Sequence, residues 1–302
     1  RTCTMTNVNA IHKQAGTVSW AGNNGFISGP VSNRGDWNVN VDNVTLTGPN
    51  GSASTVANDH PRRLVAMGQS KLTLSGKVHS YQKEEFAEIG QVNIVNGADI
   101  KLQRVTGTTG YSMFYFYQDT NANTTGNSNV TIGDDVKLSG IEMDGRSTNY
   151  PLIYFRYKKV LVGDNVKWYQ KNFQMLFDTN RGGGVNRQSF TFGQNLNMTA
   201  LGTTGTNSMQ VENNTPVIFN AGTTFDLQQW NNNQVSNIAA GSSIRFISPK
   251  SLHMSRLNGS GAVVGGNLFT GAGTFEMNNS SIRTWNGTSS MASNPTGDLR
   301  SK

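Results

Sequence analysis

The sequence is poor in cysteine, proline and charge: it contains one cysteine, Cys3, and seven prolines, and 14% of its 302 residues are charged. A single cysteine excludes an internal disulfide framework and a cysteine-based metal site. The four histidines do not recur at metal-ligand spacing, and no Gly-x-Ser-x-Gly elbow or phosphate loop occurs. No apolar run reaches the 18 residues typical of a membrane-spanning helix. These absences predict a protein that has no metal or other cofactor, does not insert into a membrane and is not an enzyme.

Helix-forming residues are also scarce, whereas asparagine, threonine, serine and glycine are abundant, with 34 glycines in the chain. Asparagine and glycine accept the positive φ of tight turns, so this composition predicts many short strands joined by turns. A hydrophobic content of 35% with few charges excludes a disordered chain. We therefore expect an all-β fold.

The charges that are present sum to +7, with a sequence pI near 9.5. A positive surface favours acidic partners. The only basic clusters are Arg62-Arg63 and Lys158-Lys159, and no nucleic-acid-binding motif is recognisable. The charge therefore indicates acidic polysaccharides or teichoic-acid-like polymers as partners rather than nucleic acid.

A short unit recurs along the chain, in which two apolar triplets are joined by Gly-x-x. Clear copies occupy residues 132–138, 160–168 and 190–198, and each predicts two strands that meet at a tight glycine corner. The glycines of the clear and weaker copies are at positions 97, 133, 163, 193, 222 and 241.

A third apolar alternation falls between most copies, at residues 114–117, 153–156, 175–178 and 209–212. Three strands per repeat predict a right-handed parallel β-helix, that is, a β-solenoid whose coils bury apolar side chains by stacking on one another. A sandwich or propeller is the alternative, but Gly-x-x is too short and too regular for alternating hairpins. The predicted core residues are Val136, Leu138, Val162, Val166, Phe190, Phe192, Leu196 and Phe225.

No linker divides the chain, so we expect one domain over residues 1–302, with about 1–40 and 278–302 as caps or tails. Variable spacing between copies predicts loops at residues 106–110, 121–129 and 181–184. The chain begins with Arg1 rather than methionine, which indicates a fragment of a longer protein that carries the anchor.

One outward column of side chains is predicted along the second strand of each coil, because alternate residues point away from the core. Successive lysines in this column could hold an anionic polymer that lies along the rod. The alternative is a solvated strand face. The predicted column contains Lys101, Lys137, Lys167, Asn197, Asp226 and Arg245.

Two further outward columns are predicted along the third strand. The first contains Glu88, Tyr115, Tyr154, Leu176 and Gln210, and the second contains Tyr117, Arg156, Asp178 and Glu212. Exposed tyrosines can stack on sugar rings while an arginine pairs with a carboxylate, which predicts a carbohydrate site at Tyr115, Tyr117, Tyr154 and Arg156. The alternative is an aromatic ladder that stabilises the sheet, with Arg156 paired to Asp178.

Two further groups of residues complete the predicted site and its alternatives. Trp168 falls at an inward position, whereas Tyr169 should face outward near Lys171 and contribute to ligand binding. Asp178 and Glu212 are predicted neighbours and could form the carboxylate pair of a glycoside hydrolase, which is the weaker interpretation.

Four segments resemble the pectate-lyase-like adhesive domain of wall-anchored surface proteins of Gram-positive bacteria, in particular the binding region of serine-rich repeat adhesins of lactobacilli. The resemblance spans residues 70–250, and its clearest segments are 71–76, 86–98, 114–118 and 246–250. It implies an extracellular, cell-wall-anchored adhesin that binds pectin-like or rhamnogalacturonan-like polysaccharide and glycans of host mucin or epithelium. We expect the chain to be monomeric.

Two other functions share this fold. True pectate lyases carry an Arg-x-Pro-x-x-Arg segment, which this sequence lacks, and the resemblance supplies no catalytic residue. A calcium-dependent polysaccharide lyase and a tailspike-like trimeric glycan-binding protein therefore remain the alternatives to an adhesin.

Overall fold

A computed structural model describes residues 2–11, 25–28, 37–47, 63–66, 70–82, 86–104, 114–116, 129–141, 159–170, 174–178, 190–200, 208–228, 236–255, 268–280, 282–284 and 299–301. Within these ranges the chain forms strands and turns but no helix. The strands are β1 (Thr2–Ile11), β2 (Gly25–Ser28), β3 (Asn38–Thr47), β4 (Arg63–Ala66), β5 (Lys71–Gln82), β6 (Ala87–Ile89), β7 (Gln91–Ile94), β8 (Asp99–Arg104), β9 (Phe114–Phe116), β10 (Asn129–Ile132), β11 (Lys137–Ile141), β12 (Lys159–Val162), β13 (Lys167–Gln170), β14 (Gln174–Asp178), β15 (Phe190–Phe192), β16 (Asn197–Ala200), β17 (Ser208–Glu212), β18 (Pro216–Phe219), β19 (Thr224–Gln228), β20 (Asn237–Ile238), β21 (Ser243–Ile247), β22 (Ser251–Ser255), β23 (Thr274–Asn278), β24 (Ile282–Thr284) and β25 (Leu299–Ser301).

The largest sheet has 16 strands, all paired in parallel. It begins with β1, β3 and β5 side by side and divides beyond β5 into two branches. The first branch is β7, β10, β12, β15, β18, β21 and β23, and the second is β8, β11, β13, β16, β19 and β22.

Three smaller parallel sheets accompany the large one. They contain β2, β4, β6 and β9; β14, β17 and β20; and β24 with β25. From β6 to β22 the described chain visits a small sheet, the first branch and the second branch in turn, except that β11 is followed by β12 of the first branch. This repeated order is solenoid-like, and it confirms the predicted all-β fold with parallel strands.

The core lies between these sheets. All eight residues that the sequence placed there are buried, the most exposed being Val162 at 5%. Trp168 is also buried, as predicted, and its indole Nε1 donates to Gln170 Oε1 at 3.0 Å. Phe192, Phe219 and Phe246 stack from coil to coil with ring centroids 4.5 and 4.7 Å apart, so the aromatic packing runs along the solenoid.

The corner between the two branches is a tight turn. The glycine of the repeat either allows close packing against the preceding coil or adopts the positive φ of the turn. Asn165 has a positive φ of 58°, whereas Gly163 of the same copy has no such φ. A Cβ on Gly163 would overlap Asp134 Oδ1 and lie 2.7 Å from the Asp134 backbone nitrogen. Glycine is therefore required here for close packing against the preceding coil. In the weaker copy at Gly97 the glycine itself holds the positive φ, at 73°.

Polar side chains at this corner link successive coils. The Asp164 backbone N–H donates to Asp134 Oδ1 at 2.8 Å, and the Gln194 N–H donates to Asp164 Oδ1 at 2.6 Å. Beside them, Asn165 Nδ2 donates to Asp135 Oδ1 at 3.0 Å. These bonds add to the backbone hydrogen bonds that join the corners of successive coils, such as that from Gly163 N–H to the Ile132 carbonyl, and help to hold their register.

Strands occur inside both segments that the sequence predicted to be caps or tails. β1, inside residues 1–40, is an end strand of the large sheet, as are β22 and β23, and β24 and β25, inside residues 278–302, form the two-stranded sheet. The predicted loops at 106–110, 121–128 and 181–184 fall outside the described residues, and Asn129 begins β10.

Candidate functional site

The outer face of the second branch brings together three of the lysines that the sequence singled out, Lys101, Lys137 and Lys167. Parallel register aligns its outward side chains in two columns, because pairing is one to one from strand to strand. The first column contains Lys77, Asp99, Lys137, Lys167, Asn197, Thr224 and Ser251, and the second contains His79, Lys101, Ser139, Tyr169, Thr199, Asp226 and His253.

The predicted single lysine column is wrong in its register. Lys101 pairs with Ser139, and the partner of Lys137 on that strand is Asp99. The error arises from aligning the copies on glycine, because Gly97 occupies the left-handed corner position that Asp135 occupies in the next coil. Aligning Gly97 with Gly133 therefore displaces the predicted register by two residues. In the structure Lys101 lies in the column next to that of Lys137.

The same misalignment affects the far end of the predicted column. Asp226 pairs with Thr199, not with Asn197. Arg245 lies on β21 of the first branch, where its Nε donates to Glu276 Oε2 at 2.8 Å. Neither residue therefore continues the row formed by Lys137 and Lys167.

The true register produces a compact cluster in place of the column. Lys137 and Lys167 are direct neighbours in the first column, and Ser139 separates Lys101 from Tyr169 in the second. Adjacent strands are about 4.8 Å apart, and residues two apart on one strand are about 6.6 Å apart on the same face. We call Lys101, Lys137, Lys167 and Tyr169 the lysine–tyrosine patch, with the small Ser139 at its centre.

The patch is largely open to solvent, and Asp99 is its acidic neighbour, in register with Lys137. Lys137 and Lys167 are exposed, and Tyr169 is 39% exposed. Within the described part of the chain, no carboxylate forms an ion pair with Lys101, Lys137 or Lys167. The patch therefore carries three positive charges beside one exposed aromatic ring.

The part of the outer face next to the patch, toward β5, carries charges of both signs. Asp99 is paired in register with Lys77, and its Oδ1 lies 3.7 Å from His79 Nε2. Burial lowers the pKa of His79 below its ordinary value of 6.5, and Lys77 and Lys101 lower it further, whereas Asp99 acts in the opposite direction. His79 is therefore neutral near pH 7, and the positive potential is concentrated on the lysine–tyrosine patch.

The predicted tyrosine and arginine face is described only in part. The backbone of Tyr115 on β9 pairs with Glu88, and Asp178 pairs with Glu212, so both predicted neighbour relations are confirmed. Tyr117, Tyr154, Arg156 and Lys171 lie outside the described residues.

Ser139 and Asp99 were missed by the sequence interpretation, although the signal for Ser139 was present. In the segment from Lys137 to Gly140, alternation alone places Ser139 outward beside the lysine. Asp99 was missed because its outward partner, Lys137, becomes apparent only with the correct register.

The described residues contain no group of three or more histidine, cysteine or acidic side chains arranged to bind a metal ion. Across the same residues, no helix has the length and apolarity needed to cross a bilayer. Comparison of the chain with protein-family models, with curated proteins and with solved structures gave no match.

Proposed function

We propose that this chain is the ligand-binding region of an extracellular bacterial adhesin, anchored to the cell wall through another part of its parent protein. Its ligands are acidic polysaccharides of the pectin or rhamnogalacturonan kind and acidic glycans of host mucin or epithelium. The observation that carries the proposal is the lysine–tyrosine patch, in which three unpaired lysines surround Ser139 next to the exposed ring of Tyr169.

The scaffold we propose is a right-handed parallel β-helix with three strands per coil. Its support is the order in which the described chain visits the sheets, for example β6, β7, β8 and then β9, β10, β11. Such a scaffold repeats its outward side chains about every 4.8 Å along the axis. A polymer that lies along the axis can therefore contact successive coils.

The chemistry of recognition follows from the three kinds of side chain in the patch. Lys137 and Lys167 supply two ammonium groups for carboxylates of the polymer. Tyr169 offers an aromatic face to the apolar side of a sugar ring, and the small Ser139 leaves space above the sheet for that ring. Each contact is weak, and affinity rises through repeated contacts along a polymer and many copies on one surface.

The experiment is polygalacturonate binding, measured by biolayer interferometry, with the double variant Lys137→Gln and Lys167→Gln. Exposed ion pairs contribute up to about 1 kcal/mol each, so we expect binding to weaken by about tenfold. Binding by the parent chain should also fall as salt rises, because ions screen exposed charges over about 8–10 Å.

The matched control is Lys71→Gln with Lys250→Gln. Both lysines are exposed and lie outside the patch, so this variant makes the same change in net charge. If the two double variants weaken binding equally, only net charge matters and the patch is not the site. Unsaturated product formed from polygalacturonate with calcium would instead establish the lyase alternative.

A further inference from the structure

The outer face of the second branch continues from the lysine–tyrosine patch toward β22. After β13 the next strands of this branch are β16, β19 and β22, each paired in register with the one before. Asn197 follows Lys167 in the first outward column, and Thr224 follows Asn197. In the second column Thr199 follows Tyr169. A ligand that lies along the axis over the patch therefore meets amide and hydroxyl groups next.

The sign of the charge on this face changes at β19. Asp226 pairs with Thr199, so it lies two strands, or about 10 Å, beyond Tyr169 in the second column. The Asp226 side chain is 41% exposed, and its Oδ1 is 3.3 Å from His253 Nδ1. Because Oδ1 is enclosed, Oδ2 is the oxygen that a ligand can contact. One continuous face thus carries three lysines toward one end and a carboxylate toward the other.

We propose that Asp226 determines where the acidic part of the bound polysaccharide ends. This inference rests on the function proposed above. The polysaccharide places a short run of consecutive acidic sugars over Lys101, Lys137 and Lys167, and neutral sugars over β16 and β19. The ligand is therefore a polymer in which a short acidic block adjoins neutral sugars.

The chemistry of the side chains beyond the patch supports this division. An ionised carboxylate only accepts hydrogen bonds, so Asp226 can bind sugar hydroxyls but repels the carboxylate of an acidic sugar. The amide of Asn197 and the hydroxyls of Thr199 and Thr224 both donate and accept, which suits neutral sugars rich in hydroxyl groups.

The length of the acidic block follows from the spacing of the strands. Lys101, Lys137 and Lys167 lie on three successive strands, β8, β11 and β13. A sugar residue in an extended polymer is about as long as the strand spacing of about 4.8 Å, so these strands hold about three acidic sugars. A longer acidic run reaches Asp226.

The first experiment measures the affinity of galacturonate oligomers of three and of eight sugars by isothermal titration calorimetry at pH 8, where carboxylates are ionised. The variant is Asp226→Asn, which removes the charge and keeps the shape of the side chain. It should bind the eight-sugar oligomer about threefold more tightly than the parent chain does, because a like-charge contact is relieved. Its affinity for the three-sugar oligomer should equal that of the parent chain.

The matched control is Glu212→Gln, which makes the same change in net charge on β17 of a small sheet. It should alter neither affinity. Equal tightening of the eight-sugar oligomer by the two variants, or no tightening by Asp226→Asn, would overturn the inference.

The second experiment tests the neutral part of the ligand with Thr199→Val and Thr224→Val together, which removes two hydroxyls and keeps the β-branched shape. The probes are fully de-esterified polygalacturonate and a pectin whose acidic blocks are joined to neutral, methyl-esterified blocks. Binding to the block pectin should weaken about fivefold, with little change for polygalacturonate. Equal effects on the two polymers would remove the preference for neutral sugars.

The double variant Lys137→Gln with Lys167→Gln separates the two proposals. If it binds polygalacturonate as the parent chain does, the proposed function fails and the inference fails with it. If it binds weakly but Asp226→Asn behaves like Glu212→Gln, only the role of Asp226 is overturned.

Discussion

The strands near the N terminus and the coils in the middle of the chain turn the same corner by different means. In β3 and β5 the strand runs on through the corner, with a single left-handed residue, Asn43 or Gly76, and a register shift next to Asn43. In the middle coils a tight turn separates two strands, as between β12 and β13. A change of direction can thus be absorbed by a bulge inside a strand or by a separate turn.

The difference decides which atoms surround each corner. At Gly76 the nearest groups are the side-chain ends of Asn43 and Asp42, which are able to move. At Gly163 the nearest groups include backbone atoms of Gly133 and Asp134, which belong to the turn of the preceding coil. The middle corners are therefore more rigid, and their hydrogen-bonded aspartates and asparagines leave no room for a larger residue.

The largest expected effect is that of Gly163→Ala. The new methyl group would overlap Asp134 Oδ1 and press on the backbone of the preceding turn, so the free energy of unfolding should fall by about 3 kcal/mol. Urea unfolding followed by circular dichroism measures this change. The control is Gly97→Ala, where nothing lies within 4 Å of the added Cβ. Only the left-handed φ is unfavourable for alanine there, so the free energy of unfolding should fall by about 1–2 kcal/mol. A smaller loss for Gly163→Ala than for Gly97→Ala would contradict the packing argument.

A smaller effect is expected from Gly76→Ala in the N-terminal region. Its left-handed φ of 60° is strained for alanine, but the side chains of Asn43 and Asp42 can move aside, so we expect a loss of about 2 kcal/mol in unfolding free energy. Gly76→Asn should lose about 1 kcal/mol less, because asparagine tolerates this φ. Equal losses for the two variants, measured in the same urea experiment, would show that crowding rather than φ dominates here.

The smallest effect is the pH dependence that His79 adds to the N-terminal region. Its pKa is lowered in the folded chain by burial, then by Lys77 and Lys101 against the opposing Asp99, so the unfolded chain binds a proton more readily. This contribution to stability is fully present above pH 6.5 and is lost as the pH falls through the lowered folded-state value. His79→Gln should therefore flatten the loss of thermal stability below pH 6.5. An unchanged pH profile would contradict this assignment.

The alternation of apolar and polar residues determined much of the fold. It predicted strands in place of helices, the eight buried residues from Val136 to Phe225, and the opposite directions of Trp168 and Tyr169. These predictions succeeded because the alternation is a local property with a period of two, independent of which coil lies next to which.

The arrangement of the candidate site was decided by the tertiary structure. The sequence supplied Lys101, Lys137, Lys167 and Tyr169 as site residues, but it set the lysines in one row. The structure gathers them around Ser139 because Gly97 and Asp135 occupy the same left-handed position. Glycine and aspartate or asparagine can each accept that conformation, so matching glycine to glycine misjudges the register by two residues. Only the pairing between coils reveals which residue holds the corner, and therefore which side chains become neighbours.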